Sequence, residues 1–294
     1  MSTIPASLRA LLSGLIDYAG LFPPAALPMQ QAVENYARYL AGPDAWALAR
    51  FVLPVSRFAE FETAMRTIRT IEPWGLSALL GANPEADLAE VDRFNDRNQG
   101  RTVVDSVEVK ACTPDEICHI RAFVRGSITC FFEIPTENPS ALLPTIHAIH
   151  ARAKIRTGGV TPNAFPSSES LAHFILECAT YNVAFKATAG LHHPLRCVKP
   201  LTYEPDSPTS VMHGFLSVFL AAVFAKQSVP AADLCDLLES RDHEHLRFES
   251  DSLHWRDRVV NTGHIREARQ RLAISFGSCS FEEPLSDLRE LKIL

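Results

Sequence analysis

Short apolar runs alternate with segments of helical periodicity along most of this chain. GLIDYAGL (14–21) reads as a strand leading into a loop, and LPMQQAVENYARYLAG (27–42) has helical spacing. ALARFVLPV (47–55) is strand-like and precedes a helix over 56–68, with Ser56 as a candidate N-cap. The pattern repeats at WGLSALLG (74–81) before the helix 83–98. It repeats again at TVVDSVEVKAC (102–112) before 113–126, where Thr113 and Glu116 have capping-box spacing. SITCFFEIP (127–135) precedes a helix over 140–151, and RAKIRTGG (152–159) precedes one over 167–182. VAFKATAGL (183–191) and RLAISFGSCS (271–280) are the last two strands, with a helix over 281–291 closing the chain.

Eight strands alternating with helices predict a parallel sheet, and eight such units predict a closed (β/α)8 TIM barrel. A doubly wound open sheet is the competing arrangement. Residues about 195–270 break the rhythm. They hold a Pro-rich piece (200–210), an apolar helix (212–226) and a second helix (230–239). The expectation is one domain over 1–294, with a helical insertion between strands seven and eight at the barrel's C-terminal face, acting as a lid or a subunit contact.

Side chains alternate along a strand, so the apolar set of each barrel strand must face the helices and the other set the interior. With Ala153 and Ile155 outward, Lys154 and Arg156 point inward. With Phe185 and Ala187 outward, Lys186 and Thr188 point inward. The same reasoning sends Glu108 and Lys110, Glu133 and Asp17 inside. A buried ion without partners is very costly, so charges of both signs converging in one barrel imply a network. Barrel active sites lie at this face.

Neighbouring strands lie about 4.8 Å apart, which places Lys154 close to Lys186. A second ammonium nearby disfavours protonation of the first. A neutral lysine amine attacks carbonyls to form a Schiff base. The expected roles are therefore Lys154 as nucleophile, Lys186 as its activator, Glu108 and Asp17 as proton-transfer groups, and Glu133 and Lys110 as relay partners. Small-residue turns follow strands six, seven and eight. Backbone N–H groups in such turns cradle anions. Thr157, Gly158, Gly159, Gly190, Gly277, Ser278, Cys279 and Ser280 are the candidate phosphate- or substrate-binding positions, with Arg156, His192 and His193 beside them.

Composition narrows the class further. The chain has 294 residues, 47% hydrophobic and 21% charged, with a formal net charge of −6. That balance shows no basic stripe for nucleic acid. The apolar run FLSVFLAAVFA (215–225) is shorter than the roughly 20 residues of a membrane span. The N-terminal stretch lacks a secretory signal pattern, and seven cysteines without C-x-x-C read as reduced thiols, so a cytoplasmic location is expected. The apolar helix 212–226 is a candidate contact for a homo-oligomer.

Six ordered motifs resemble the deoxyribose-phosphate aldolase family of class I aldolases. IDYAGLFPPA (16–25) is similar to that family's first-strand motif, DSVE (105–108) to its catalytic strand, and CFFE (130–133) to its fifth strand. KIRTG (154–158) is similar to the Schiff-base segment, FKATAG (185–190) to the segment of the activating lysine, and FGSCS (276–280) to the phosphate loop. The resemblance covers about 14–193 and 271–291. It implies a TIM barrel, imine chemistry on Lys154 and no cofactor. Glu108 stands where that family has aspartate, Arg156 replaces a small residue, and Ala189 replaces a glycine. His192 and His193 are unusual in that loop, and the 195–270 segment has no counterpart. These departures imply a divergent relative acting on another small anionic carbonyl compound, phosphorylated or carboxylated.

Two other classes stay open at this point. His192 and His193 offer metal ligands with Asp17, Glu133 or Cys279, which would make a metal-dependent lyase or isomerase, although no metal-binding spacing such as H-E-x-x-H occurs. A non-catalytic, metabolite-binding barrel is the other.

Overall fold

The structure is a computed structural model that describes residues 4–294; the first three residues of the N-terminal stretch read above lie outside it. A short helix, α1 (Ala6–Leu12), leads into β1 (Ile16–Tyr18). α2 (Met29–Leu40) completes the first unit, and four strand–helix units follow: β2 (Leu48–Pro54) and α3 (Phe58–Ala64), β3 (Trp74–Leu79) and α4 (Pro84–Arg97), β4 (Thr102–Lys110) and α5 (Pro114–Phe123), β5 (Thr129–Glu133) and α6 (Leu143–Ala148). Next come β6 (Arg152–Arg156), α7 (Ser168–Thr180) and β7 (Phe185–Thr188). The long segment contains a hairpin of β8 (Cys197–Pro200) and β9 (Thr209–Met212), then α8 (Phe215–Ala225) and α9 (Ala231–Glu239). It continues with three antiparallel strands, β10 (Leu246–Phe248), β11 (Ser252–Trp255) and β12 (Arg258–Asn261), and α10 (Thr262–Arg271). β13 (Ala273–Ser278) and α11 (Glu282–Glu290) end the fold.

Eight parallel strands close in the order β1-β13-β7-β6-β5-β4-β3-β2. This is a (β/α)8 barrel, and all eight of its strands fall inside the segments that alternation picked out. The capping box forms as expected: the Thr113 hydroxyl accepts from the Glu116 N–H at 3.2 Å, and the Glu116 carboxylate accepts from the Thr113 N–H at 3.1 Å. Ser56 does not cap its helix. It sits in a 3₁₀ turn, Val55–Arg57, and the α-helix starts after it, at Phe58.

The long segment is more than a helical insertion, since it also carries a hairpin and a small sheet. Its apolar helix belongs to the barrel. Every residue of α8 is buried. Phe215 stacks on Phe276 of β13 with ring centroids 5.2 Å apart, and Phe224 meets Trp255 of β11 at 5.5 Å on the other side. A helix wrapped on both sides must be apolar all round. That explains why its sequence lacks the amphipathic pattern of the other barrel helices. It also leaves the 212–226 stretch without a free face for a subunit contact.

At the other end of the barrel, Arg269 of α10 is buried and donates to the carbonyls of Leu11, Ala273 and Ile274, tying α1 and β13 together. No described helix is long and apolar enough to cross a membrane.

Candidate active site

The barrel interior is built in layers, from the bottom up. Arg50 on β2 forms a two-pronged ion pair with Asp105 on β4 at 2.5 and 2.8 Å. Above it the Phe131 ring forms a floor, with the Arg152 guanidinium 5.6 Å from its centroid and the Lys186 ammonium 5.3 Å from it. A cation over a ring face is attracted by the ring's quadrupole. Phe131 therefore separates a lower ionic layer from an upper one and favours the charged form of Lys186.

The upper layer is a continuous chain of ion pairs. β5, β6 and β7 place Glu133, Lys154 and Lys186 side by side in register. Lys154 Nζ lies 2.8 Å from Glu108 Oε2 and 2.8 Å from Glu133 Oε2. Lys186 Nζ lies 2.5 Å from Glu108 Oε1 and 2.6 Å from Asp17 Oδ2. Glu108 thus bridges the two lysines, one oxygen to each. Arg156 Nε adds a contact of 3.0 Å to Glu133 Oε1.

Hydroxyls and one amide complete the carboxylates. Ser77 donates to Glu108 Oε1 at 2.6 Å, and Ser106 donates to Ser77 at 2.8 Å. Ser275 donates to Asp17 Oδ2 at 2.7 Å, and the Arg50 N–H donates to Asp17 Oδ1 at 3.0 Å. Three carboxylates therefore face two ammonium groups and one guanidinium, a balanced set. Only balanced, hydrogen-bonded charges can be carried this deep in a barrel.

Burial would raise the Glu108 carboxyl pKa, but the Lys154 and Lys186 ammoniums outweigh it and hold the group well below the usual carboxylate range. Glu133 moves down in the same way: burial opposes the shift, and Lys154 and then Arg156 overcome it. Burial disfavours the Lys186 ammonium, yet Asp17 and Glu108 hold its pKa above the ordinary lysine value. Lys186 is thus a fixed positive charge, not a neutral amine.

These shifts set a pH window for stability. A lowered carboxyl pKa contributes stability that is complete above the unfolded value, about 4.3 for glutamate, and is lost as pH falls through the folded value. A raised lysine pKa contributes stability that is complete below about 10.4 and is lost as pH rises through the folded value. Urea-unfolding free energies are therefore expected to hold a plateau between roughly pH 5 and 10, with the wild type's advantage over Glu108→Gln shrinking below it. An advantage that grew on acidification would contradict the ion-pair geometry.

Above this layer a cavity of about 850 Å³ opens at the C-terminal ends of the strands. Glu108, Lys110, Glu133, Lys154, Arg156 and Lys186 line it. Asp17 lies beneath, fully buried. Lys110 is exposed at the end of β4, lines the cavity and makes no ion pair among the described residues.

The glycine-rich turns divide in two. Gly159, Gly190, Gly277, Cys279, His192 and His193 line the cavity. Thr157, Gly158, Ser278 and Ser280 do not. The Thr157 hydroxyl donates to the Ala189 carbonyl at 2.6 Å. A Cβ on Gly158 would stand 2.8 Å from the Gly190 Cα, so these glycines let two loops touch backbone to backbone. Ser278 accepts from the Ser280 N–H at 3.3 Å, and Ser280 accepts from the Glu283 N–H at 3.1 Å.

Each of the paired histidines is held by a carboxylate of α11. His192 Nδ1 lies 2.9 Å from Glu283 Oε2, and His193 Nδ1 lies 2.6 Å from Asp287 Oδ2. Among the described residues, no group of three or more His, Cys, Asp or Glu side chains converges as a metal-ligand set. Burial raises the Cys279 thiol pKa, a protonated and poorly nucleophilic state.

Sequence reasoning missed Ser77 and Ser275, although both occupy inward positions on strands it had identified. It also missed Glu283, and Tyr203 of the β8–β9 connection. Both line the cavity, with the Tyr203 hydroxyl 3.5 Å from Glu283 Oε2.

The fold and site together define a (β/α)8 barrel with a bridged two-lysine, three-carboxylate centre at its C-terminal mouth. No family model matches this chain, and no curated protein matches it. Among solved structures, it is similar to a deoxyribose phosphate aldolase from Aeropyrum pernix whose tetrameric structure is described as unique. That similarity has 13% identity and a TM-score of 0.40, over 82% of this chain and 99% of that one.

Proposed function

We propose that this barrel is a carbon–carbon lyase or aldolase that binds a carbonyl compound as a Schiff base on Lys154. The observation that carries the reading is Lys154 itself: its amine lines the cavity between two carboxylate oxygens, each 2.8 Å away. An ammonium must give up a proton before it can attack. Glu108 and Glu133 are both placed to take that proton. The free amine adds to the carbonyl carbon to give a carbinolamine, which loses water with the returned proton to give an iminium. The iminium draws electrons from the adjacent carbon–carbon bond as it breaks, or from the adjacent C–H bond as its proton leaves. Glu108, bridging Lys154 and Lys186, exchanges protons at that step.

Lys186 keeps its charge and acts through Glu108. Its ammonium keeps Glu108 deprotonated, so an acceptor oxygen is in place, and loss of the Lys154 charge as its proton leaves removes one of the two ammoniums that lower that carboxylate's proton affinity. Lys110 and Arg156 at the rim are the groups that would face a carboxylate substituent. The β8–β9 connection, whose Tyr203 reaches the cavity, covers the mouth as a lid.

Borohydride reduction in the presence of a panel of aldehydes, ketones and keto acids tests this reading. A mass-increased peptide carrying the adduct at Lys154, with none at Lys186, is the expected result. Adducts on exposed lysines alone would remove the basis for imine chemistry.

A further inference from the structure

The cavity is asymmetric, and its asymmetry bears on the substrate. Phe22, Leu79, Leu80, Pro84 and Ile120 form an apolar stretch of the lining beyond the ends of β1, β3 and β4, with Lys110, Glu116 and His119 beside Ile120. The opposite side carries Arg156, His192, His193, Tyr203 and Glu283. A volume of about 850 Å³ is large for a small sugar phosphate and falls in the upper part of the roughly 300–1,000 Å³ range of drug-sized ligand cavities.

The loop after β13 does not present a vacant anion cradle. The Glu283 N–H is bonded to Ser280 Oγ, and the Ser280 N–H to Ser278 Oγ. The first turn of α11 carries two carboxylates, Glu282 and Glu283. Burial alone would raise the Glu283 pKa, but its hydrogen bond and charge pairing with His192 hold it low, so the carboxylate meets the cavity already paired with a histidine. A phosphate brought to this loop would have to break the His192–Glu283 pair or displace the hydroxyls that already hold the Ser280 and Glu283 N–H groups.

We propose that the substrate is an unphosphorylated carbonyl compound with a hydrocarbon body of six or more carbons. That body lies against the wall between Phe22 and Ile120 while the carbonyl reaches Lys154. The assignment rests on Lys154 as the carbonyl-binding group, but the wall can be tested without imine formation.

Secondary alcohols have the shape of the matching ketones and cannot form an imine. Calorimetric titration with alkan-2-ols from butan-2-ol to octan-2-ol is expected to show affinity rising about fourfold per added methylene, the value of one buried CH₂. Glycerol 3-phosphate is expected to bind no better than butan-2-ol. Leu80→Gln, at a half-exposed position, is expected to weaken octan-2-ol about tenfold and butan-2-ol much less. Its thermal unfolding serves as the check on folding.

An affinity independent of chain length, or tighter binding of glycerol 3-phosphate than of octan-2-ol, would overturn the proposal. The chain-length trend without any trapped carbonyl adduct would support the hydrocarbon wall and overturn the imine reading alone. Trapped sugar phosphates with a flat alcohol series would do the reverse.

Discussion

Lys154→Arg is expected to lose the borohydride adduct completely and to lower turnover of any carbonyl compound the wild type traps by roughly six orders of magnitude, the scale of removing a covalent nucleophile. Stability is expected to change little. The guanidinium keeps the positive charge between Glu108 and Glu133 but stays protonated at every usable pH, so it cannot attack a carbonyl. Lys154→Met makes the complementary test. It removes both charge and nucleophile, yet Glu108 keeps Lys186 at 2.5 Å and Glu133 keeps Arg156 at 3.0 Å. The methionine variant is therefore expected to fold with a loss of only about 1–3 kcal/mol, the cost of hydrogen bonds to charged groups, while matching the arginine variant in activity. Adduct formation that survives in the arginine variant would move the nucleophile elsewhere.

The barrel was legible because two periodicities are unambiguous in most of this chain. Each barrel strand has one apolar face against a helix. That face fixes the parity of the other residues, so Lys154 and Lys186 could be assigned inward before their partners were known. Parity alone also predicts Asp17, Glu108 and Glu133, and all three meet the lysines within 2.8 Å. Parity says nothing about depth along the strand. Lys110 shares the parity of Glu108 yet stands two residues nearer the mouth, exposed and outside the ion-pair chain.

Other features were hidden for physical reasons. Ser77 and Ser275 carry no charge, so alternation gives no cause to single them out, although each donates to a buried carboxylate. The glycine-rich turns look alike as sequence, and a glycine that lets two loops touch cannot be told from one that opens room for a ligand. Only the close approach of Gly158 and Gly190 separates these uses. The helix α8 was read as part of an insertion because residues about 195–270 are too long for one crossover, and its sequence shows no amphipathic spacing to place it on the barrel. That spacing is absent because Phe276 and Trp255 cover it from opposite sides. Tyr203 gave no local signal at all, since its place at the cavity depends on how the hairpin folds back.

Lys186→Met is expected to be the most destabilising single change at the centre. It strips Asp17, which is fully buried, of its ammonium partner and leaves only the Ser275 hydroxyl and the Arg50 amide. Removing one member of a buried pair costs about 3–5 kcal/mol, because the other charge stays buried and uncompensated. At about 2–4 °C per kcal/mol for a chain of this order of size, the melting temperature is expected to fall by roughly 10 °C. The sign of the pH dependence identifies the cause. The deficit is a buried charge, so it should narrow as acidification protonates Asp17. The double variant Lys186→Met, Asp17→Asn should recover much of the loss at neutral pH, since both ions are then gone. Trapping on Lys154, measured well below the melting transition, is expected to slow about a hundredfold in the single variant, the scale of a disabled proton-transfer partner. The double variant should regain stability without regaining that rate. If both return together, Lys186 only supports the fold; if stability alone returns, its charge acts on Glu108 during the reaction.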